Sequence, residues 1–112
     1  MSNHSMAESI LDALGDPQRR QIVQHLRDGP LPVGKLAERL TIGRPAVSKH
    51  LRVLSDVGLV THQPVGTRNL YALAPEALVP LQQWLTQFWT DALEAFADHV
   101  SGQQPAPGKE RP

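Results

Sequence analysis

Residues 36–57, LAERLTIGRPAVSKHLRVLSDV, contain two amphipathic segments separated by a three-residue break at positions 41–43. The first apolar stripe predicts a short helix over about residues 33–40. The second predicts a helix over about residues 44–57 that ends at Gly58. Two helices joined by so short a turn are the sequence pattern of a helix-turn-helix.

The two faces of the second of these helices differ in chemistry when successive residues are placed 100° apart. Val47, Leu51 and Leu54 fall within one narrow arc, which predicts that this face is buried. The opposite arc carries small, basic and acidic side chains, namely Pro45, Ser48, Lys49, Arg52 and Asp56, with Arg44 at the helix entrance. Such an outer face has the size and charge that a DNA major groove accepts.

The segments on either side of this pair extend the pattern. Upstream, Asp16-Pro17 predicts a helix start after a first helix that ends at Gly15 in the left-handed conformation. Downstream, residues 59–63 and 68–73 flank the turn sequence PVGT and predict a β-hairpin with Tyr71 and Leu73 facing the core. A basic hairpin tip beside a DNA-reading helix is a wing.

The last periodic segment, residues 75–100, has an apolar stripe too wide for one small core. Four of the five aromatic residues lie on it, which predicts a second subunit as the cover. The alternative is that the first helix and the hairpin base cover the stripe. Pro80 predicts either a kink or a second helix start. The predicted dimer interface consists of Ile10, Leu11, Leu14, Trp84, Leu85, Phe88, Trp89 and Phe96.

The sequence therefore predicts a mainly α-helical domain with a small β-hairpin, a homodimeric winged helix-turn-helix of four helices, two strands and a fifth helix. We expect this domain over residues 6–101, after a flexible segment 1–5 and before a disordered Pro/Gly-rich tail 102–112. The N-terminus has no signal core and no stretch approaches a membrane span, so the expected location is the cytoplasm.

Charge is distributed unevenly along a chain whose net charge is zero. Residues 32–73 carry six basic and two acidic side chains, whereas residues 74–102 carry four acidic side chains and no Lys or Arg. This division predicts a polyanion-binding face on a neutral molecule. The absence of cysteine excludes disulfides, thiolate metal sites and thiol catalysis.

Residues 14–60, LGDPQRRQIVQHLRDGPLPVGKLAERLTIGRPAVSKHLRVLSDVGLV, resemble the ArsR family of bacterial winged helix-turn-helix repressors. The likeness continues through the wing, QPVGTRNLYAL, into LQQWLTQFW, so that it covers about residues 10–99, and PAVSKHLRVL is its most diagnostic part. The resemblance implies a homodimer paired through its first and last helices. It also implies binding to double-stranded operator DNA near the protein's own promoter, with release when a signal, such as a small-molecule inducer, binds.

The resemblance also shows departures from the family pattern. Metal-sensing relatives have Leu-Cys-Val-Cys-Asp-Leu where this chain reads LPVGKL at residues 31–36, so Pro32 and Gly34 replace both thiolate ligands. The expectation is therefore a regulator without thiolate metal sensing and without a cofactor or metal. An alternative places a divalent ion on the last helix through Asp91, Glu94, Asp98 and His99, although these are more often solvated surface residues.

The turn of the helix-turn-helix also differs from the family pattern. Many relatives have glycine where Thr41 stands and a Ser or Thr cap where Gly43 stands. Positive φ at Thr41 would strain the backbone, while Gly43 would remain an acceptable N-cap. Pro32 stands where relatives often have serine, so the helix that follows is expected to lose its usual cap.

The predicted DNA contacts divide between the reading helix and the wing: Arg44, Pro45, Ser48, Lys49, Arg52, Thr67 and Arg68. Arg or Lys can reach guanine or a phosphate, and serine lets the helix approach closely. Arg68 is assigned to the minor groove or the backbone beside it. The predicted function is sequence-specific repression of transcription. The alternatives are a winged-helix module that binds another protein and a small enzyme, which the sequence opposes because it has no recognisable catalytic motif.

Overall fold

The computed structural model of the chain describes residues 3–103. Its helices and strands follow one another as α1 (Asn3–Ala13), α2 (Pro17–Leu26), β1 (Leu31–Pro32), α3 (Val33–Arg39), α4 (Arg44–Asp56), β2 (Val60–Val65), β3 (Arg68–Leu73), a 3₁₀ turn (Pro75–Leu78) and α5 (Val79–Gln103). This order confirms the predicted mainly helical fold with a helix-turn-helix, formed by α3 and α4, and a wing.

The hydrophobic core lies where α1, α2, α3, α4 and the base of the wing meet. Its fully buried side chains include Ile22, Leu36, Leu51 and Leu54, which are the inward residues of the predicted stripes. Tyr71 and Leu73 pack against this core from β3, as their period-two spacing predicts. Apolar burial against α1, α2, α3 and the sheet thus fixes α4 to the rest of the domain.

The sheet has three strands in the order β1-β3-β2, all antiparallel. The sequence did not predict β1, a two-residue strand that pairs Leu31 with Tyr71 and Pro32 with Leu70. So short a strand carries no periodicity, and it is specified only by its partner. Gly66 has a φ of 64° at the wing tip, a left-handed value that favours glycine in a tight hairpin turn.

Two predicted chain boundaries differ from the structure. Helix α1 begins at Asn3, so that residues 3–5, expected to be flexible, are helical. Helix α5 continues to Gln103, two residues into the predicted tail. Residues 1–2 and 104–112, the rest of the predicted flexible ends, lie outside the described residues.

The expectation of a left-handed Gly15 is wrong. The glycines with positive φ among residues 3–103 are Gly29, Gly58 and Gly66. The chain leaves α1 through a tight turn in which the Gly15 amide donates to the Asp12 carbonyl at 3.1 Å. This hydrogen bond satisfies a terminal carbonyl without a left-handed residue.

The turn between α3 and α4 has no strained residue. No non-glycine residue in the described part has positive φ, so Thr41 fits without the cost considered above. Gly43 is the N-cap of α4 in extended backbone, with a φ of −73°. Pro32 is the N-cap of α3 and supplies no side-chain hydrogen bond, as its missing hydroxyl predicts. Pro80 lies in the first turn of α5, where proline marks a start rather than a kink.

Candidate nucleic-acid interface

Helix α4 presents one buried face and one exposed face. Val47, Leu51 and Leu54 are at most 1% exposed and anchor the helix in the core. Arg44 and the predicted contact residues of the opposite arc, Pro45, Ser48, Lys49 and Arg52, are all exposed. The anchored face fixes the rotation of the helix, so these side chains project into solvent together, as major-groove contacts require.

The wing adds an exposed basic residue to those of α4. Arg68 begins β3 opposite Val65, next to the Gly66-Thr67 turn, and both Thr67 and Arg68 are exposed. Arg68 and Arg44 line the same two surface clefts, so the wing tip and the entrance of α4 are neighbours. Sequence spacing alone could not show this proximity, because the two residues are separated by a whole helix and a strand.

The positive charge of this face is not neutralised within the domain. Among the described residues, Arg44, Lys49, Arg52 and Arg68 form no ion pair, whereas Lys35 lies 3.6 Å from the carboxylate of Glu38. Unpaired, solvated guanidinium and ammonium groups on one surface attract a polyanion at low ionic strength.

Arg19 connects α4 to the first two helices, a role that the sequence analysis did not predict. Its Nε donates to the carbonyl of Ala13 at the end of α1, and its Nη1 lies 3.4 Å from Nδ1 of the half-buried His50 on α4. Nη1 also lies 4.0 Å from the carboxylate of Asp16. The signal in the sequence is the pairing of an Asp N-cap with an Arg three residues later.

Asp16 caps α2 and thereby holds Arg19 in place. Its Oδ1 accepts from the backbone amides of Gln18 at 2.7 Å and Arg19 at 3.3 Å. Burial raises the pKa of this carboxyl, but the two amide hydrogen bonds, together with the nearby His50 imidazole and Arg19 guanidinium, outweigh that effect and lower the pKa below its ordinary value. The carboxylate form is therefore the one that the cap stabilises.

Helix α5 carries an uncovered apolar surface. Phe88, Trp89 and Phe96 are 57%, 64% and 65% exposed, and Leu85 is 47% exposed. Half-buried Trp84 stacks on Phe88, with ring centroids 5.4 Å apart. Helix α1 packs along α5 and still leaves these side chains open, so the alternative in which the domain covers its own stripe is wrong. We call Leu85, Phe88, Trp89, Leu93 and Phe96 the α5 patch.

The residues predicted for α1 at the dimer interface separate into three environments. Ile10 is 2% exposed and belongs to the core of its own subunit, because α1 turns it inward together with Ala13. Ile10 is therefore too buried to contribute to the predicted dimer interface. Leu14 is half-buried against the same core, and Leu11 is 39% exposed. Met6, which was not predicted, is equally exposed.

The α5 side chains considered for a divalent ion do not converge on a common binding position. Asp91, Glu94, Asp98 and His99 are all exposed, and the amide of Gln87 donates to Asp91 at 2.9 Å. Within residues 3–103 there is no group of three or more His, Asp or Glu side chains placed to hold a metal ion. The helices described in this range lack the combination of length and hydropathy that a membrane span requires.

Comparison with known proteins agrees with this geometry. Residues 14–63 match the sequence model of a helix-turn-helix domain. The chain is 44% identical to the HTH-type transcriptional regulator Rv2034 of Mycobacterium tuberculosis over 92% of its own length and 96% of the relative's.

Solved structures show the same architecture. An ArsR-like transcriptional regulator from Rhodococcus sp. RHA1 superposes with a TM-score of 0.80 at 25% identity, covering 92% of this chain and 97% of the other. The homodimeric winged helix-turn-helix DNA-binding domain of Mb0332 from Mycobacterium bovis superposes with a TM-score of 0.63 at 26% identity, covering 81% of this chain and 84% of the other.

Proposed function

The chain belongs to the ArsR family of winged helix-turn-helix transcriptional regulators, and from this membership we propose that it binds operator DNA as a homodimer and represses transcription there. The observation that carries the proposal is the exposed basic arc of α4, held in one orientation by three fully buried side chains. A DNA-reading helix needs this combination of a rigid anchor and free, charged contacts.

On DNA, α4 enters the major groove with Ser48 nearest the base edges. Lys49 and Arg52 divide between bases and phosphates, and Pro45 packs close to the duplex at the helix entrance beside Arg44. Thr67 and Arg68 place the wing tip on the backbone or in the minor groove. A protein bound this way at a promoter occupies the site that RNA polymerase would use, which makes repression the expected outcome.

The dimer is proposed from the α5 patch and from the homodimeric relative. Three exposed aromatic rings on one helix exceed what a soluble monomer leaves uncovered without reason. A twofold interface would join the α5 patches of two subunits, with Leu11 at its edge. It would also present two copies of α4 to successive major grooves.

A protein-binding module of the same fold is the alternative. A protection footprint on DNA upstream of the protein's own gene separates the two, with and without cell extract as a source of inducer. The proposal predicts a discrete protected site whose affinity falls steeply with salt. Weak protection of every sequence, together with a stable complex with another protein, would favour the alternative.

Replacing Arg68 tests the wing. We expect Arg68→Ala to weaken operator and random DNA alike, because a backbone contact carries no base information. A dimer has two wings, so the slope of log affinity against log salt should shrink by about two units. Binding isotherms across a salt series measure it, with Arg27→Ala as the control in an exposed arginine that pairs with Asp28 instead. An unchanged slope would show that Arg68 does not touch DNA.

Metal response is a separate expectation. Pro32 and Gly34 provide no thiolate, so operator affinity should be indifferent to zinc, cadmium and arsenite. A titration of operator binding with each ion, checked by metal analysis of the protein, measures this. A stoichiometric tight zinc site that lowers DNA affinity at least about tenfold would contradict it.

A further inference from the structure

A cationic cleft lies between α3, the entrance of α4 and the wing tip. Its main cavity, of about 270 Å³, is lined by Pro32, Gly34, Lys35, Glu38, Arg44 and Arg68. Gly34 is one of the lining residues, and a Cβ atom at this position would lie 4.0 Å from Nη1 of Arg44. The exposed guanidinium of Arg44 therefore lies close to the start of α3 and lines the cleft.

The side chains that line the cleft give it a net positive charge. Lys35, Arg44 and Arg68 contribute three positive charges, and Glu38, paired with Lys35, contributes one negative charge. The excess is two positive charges, and both guanidinium groups lack an ion-pair partner among residues 3–103. A phosphate monoester carries a charge close to −2 at neutral pH and can accept parallel hydrogen bonds from a guanidinium group.

A second cavity extends the cleft towards residues that can contact the organic part of a ligand. It has a volume of about 150 Å³, shares Pro32, Arg44 and Arg68 with the first, and continues along Val33, Thr67, Asn69 and Tyr71. Its lining sets the aliphatic side chains of Pro32 and Val33 and the ring of Tyr71 beside polar side chains. A ligand with a charged head and a compact body would place the phosphate against the arginines and the body against Pro32 and Tyr71.

We propose that this cleft, which we call the α3–wing cleft, binds a free phosphate monoester with a compact organic group, and that the ligand competes there with the DNA backbone. The proposal rests on the proposed function, since Arg44 and Arg68 are also the DNA contacts assigned above. A ligand that occupies both arginines removes them from the duplex, so ligand binding and DNA binding exclude each other. The operator would then be released by a metabolite's phosphate group.

Phenyl phosphate is a suitable probe because it combines a dianionic head with a small ring. Titration of ¹⁵N-labelled full-length protein at constant ionic strength should give saturable amide shifts centred on Gly34, Lys35, Arg68 and Asn69. We expect a Kd below about 1 mM. Dimethyl phosphate, which has the monoanionic diester chemistry of the DNA backbone, should bind at least about tenfold more weakly.

Gly34→Glu is the decisive variant, because it places a carboxylate in the cleft within reach of Arg44. It leaves the helix able to form, since glutamate favours helices more than glycine does. This change should weaken phenyl phosphate at least about tenfold, while Arg27→Ala, an exposed arginine outside the cleft, should leave its Kd within about twofold. Circular dichroism confirms that both variants are folded.

Competition is measured separately with a random-sequence duplex at low salt. Phenyl phosphate at ten times its Kd should raise the apparent Kd for this DNA about tenfold at matched ionic strength, as simple competition requires. Failure to bind any duplex would overturn the proposed function but leave the phenyl phosphate titration to decide the cleft on its own.

The results that overturn the proposal are distinct. Shifts that do not saturate, or that sulfate reproduces equally, would show an adventitious anion only. Equal binding of dimethyl phosphate would assign the cleft to DNA backbone alone. Saturable binding of phenyl phosphate that leaves DNA affinity unchanged would overturn the competition.

Discussion

Phe88→Asp is expected to convert the protein to a monomer and to weaken operator binding at least about a hundredfold. The side chain is 57% exposed in one subunit and stacks on Trp84 in the centre of the predicted interface. A twofold contact would bury the new carboxylate twice without a cation, since α5 contains no Lys or Arg. Burying an unpaired charge costs several kcal/mol, and about 2.7 kcal/mol already equals a hundredfold. Analytical sedimentation at micromolar protein concentration measures the loss of the dimer.

Thr90→Asp is the matched control for this prediction. Thr90 is exposed on the same helix but lies about 200° around it from Phe88 and about 40° from Glu94. The same new charge there should leave the dimer intact. Trp89→Ala, which removes a 64% exposed ring without adding a charge, should also weaken the dimer. A wild-type protein that is monomeric at micromolar concentration, or a Phe88→Asp dimer of unchanged strength, would contradict the proposed interface.

Replacing Ser48, Lys49 and Arg52 together by alanine should remove the preference for operator over random DNA. Each contact to a base edge or phosphate is worth about 1–3 kcal/mol, and a dimer repeats the set twice. We expect the specificity ratio to fall at least about a hundredfold. The fold should persist, because all three side chains are exposed and alanine favours helices. Competition binding with operator and random duplexes measures the ratio, and thermal unfolding checks the fold.

The single changes assign the roles within this set. Ser48→Ala should alter the preferred sequence and leave the salt slope nearly intact, since it removes no charge. Arg27→Ala again controls for loss of an exposed arginine elsewhere. If the triple variant keeps its operator preference, α4 is not the recognition helix, and the protein-interaction function replaces the regulatory one.

The sequence by itself determined the order of the five helices and the two wing strands, and the faces of α4. Its periodicities are local: 3.6 residues per turn placed Val47, Leu51 and Leu54 on the buried side, and period two placed Tyr71 and Leu73 inward. The turn signals at Gly58 and Gly66 were also readable, and both glycines have positive φ in the structure. Local patterns of this kind are set by backbone geometry and need no knowledge of distant neighbours.

The tertiary structure alone decided which residues from separate elements meet. Strand β1 exists only because β3 pairs with it, and Ile10 belongs to the core because α1 packs with that side inward. The link from Arg19 to His50, and the shared lining of the α3–wing cleft by Arg44 and Arg68, involve positions far apart in sequence. Periodicity describes how one element is oriented about its own axis, whereas the packing of elements against each other fixes these contacts.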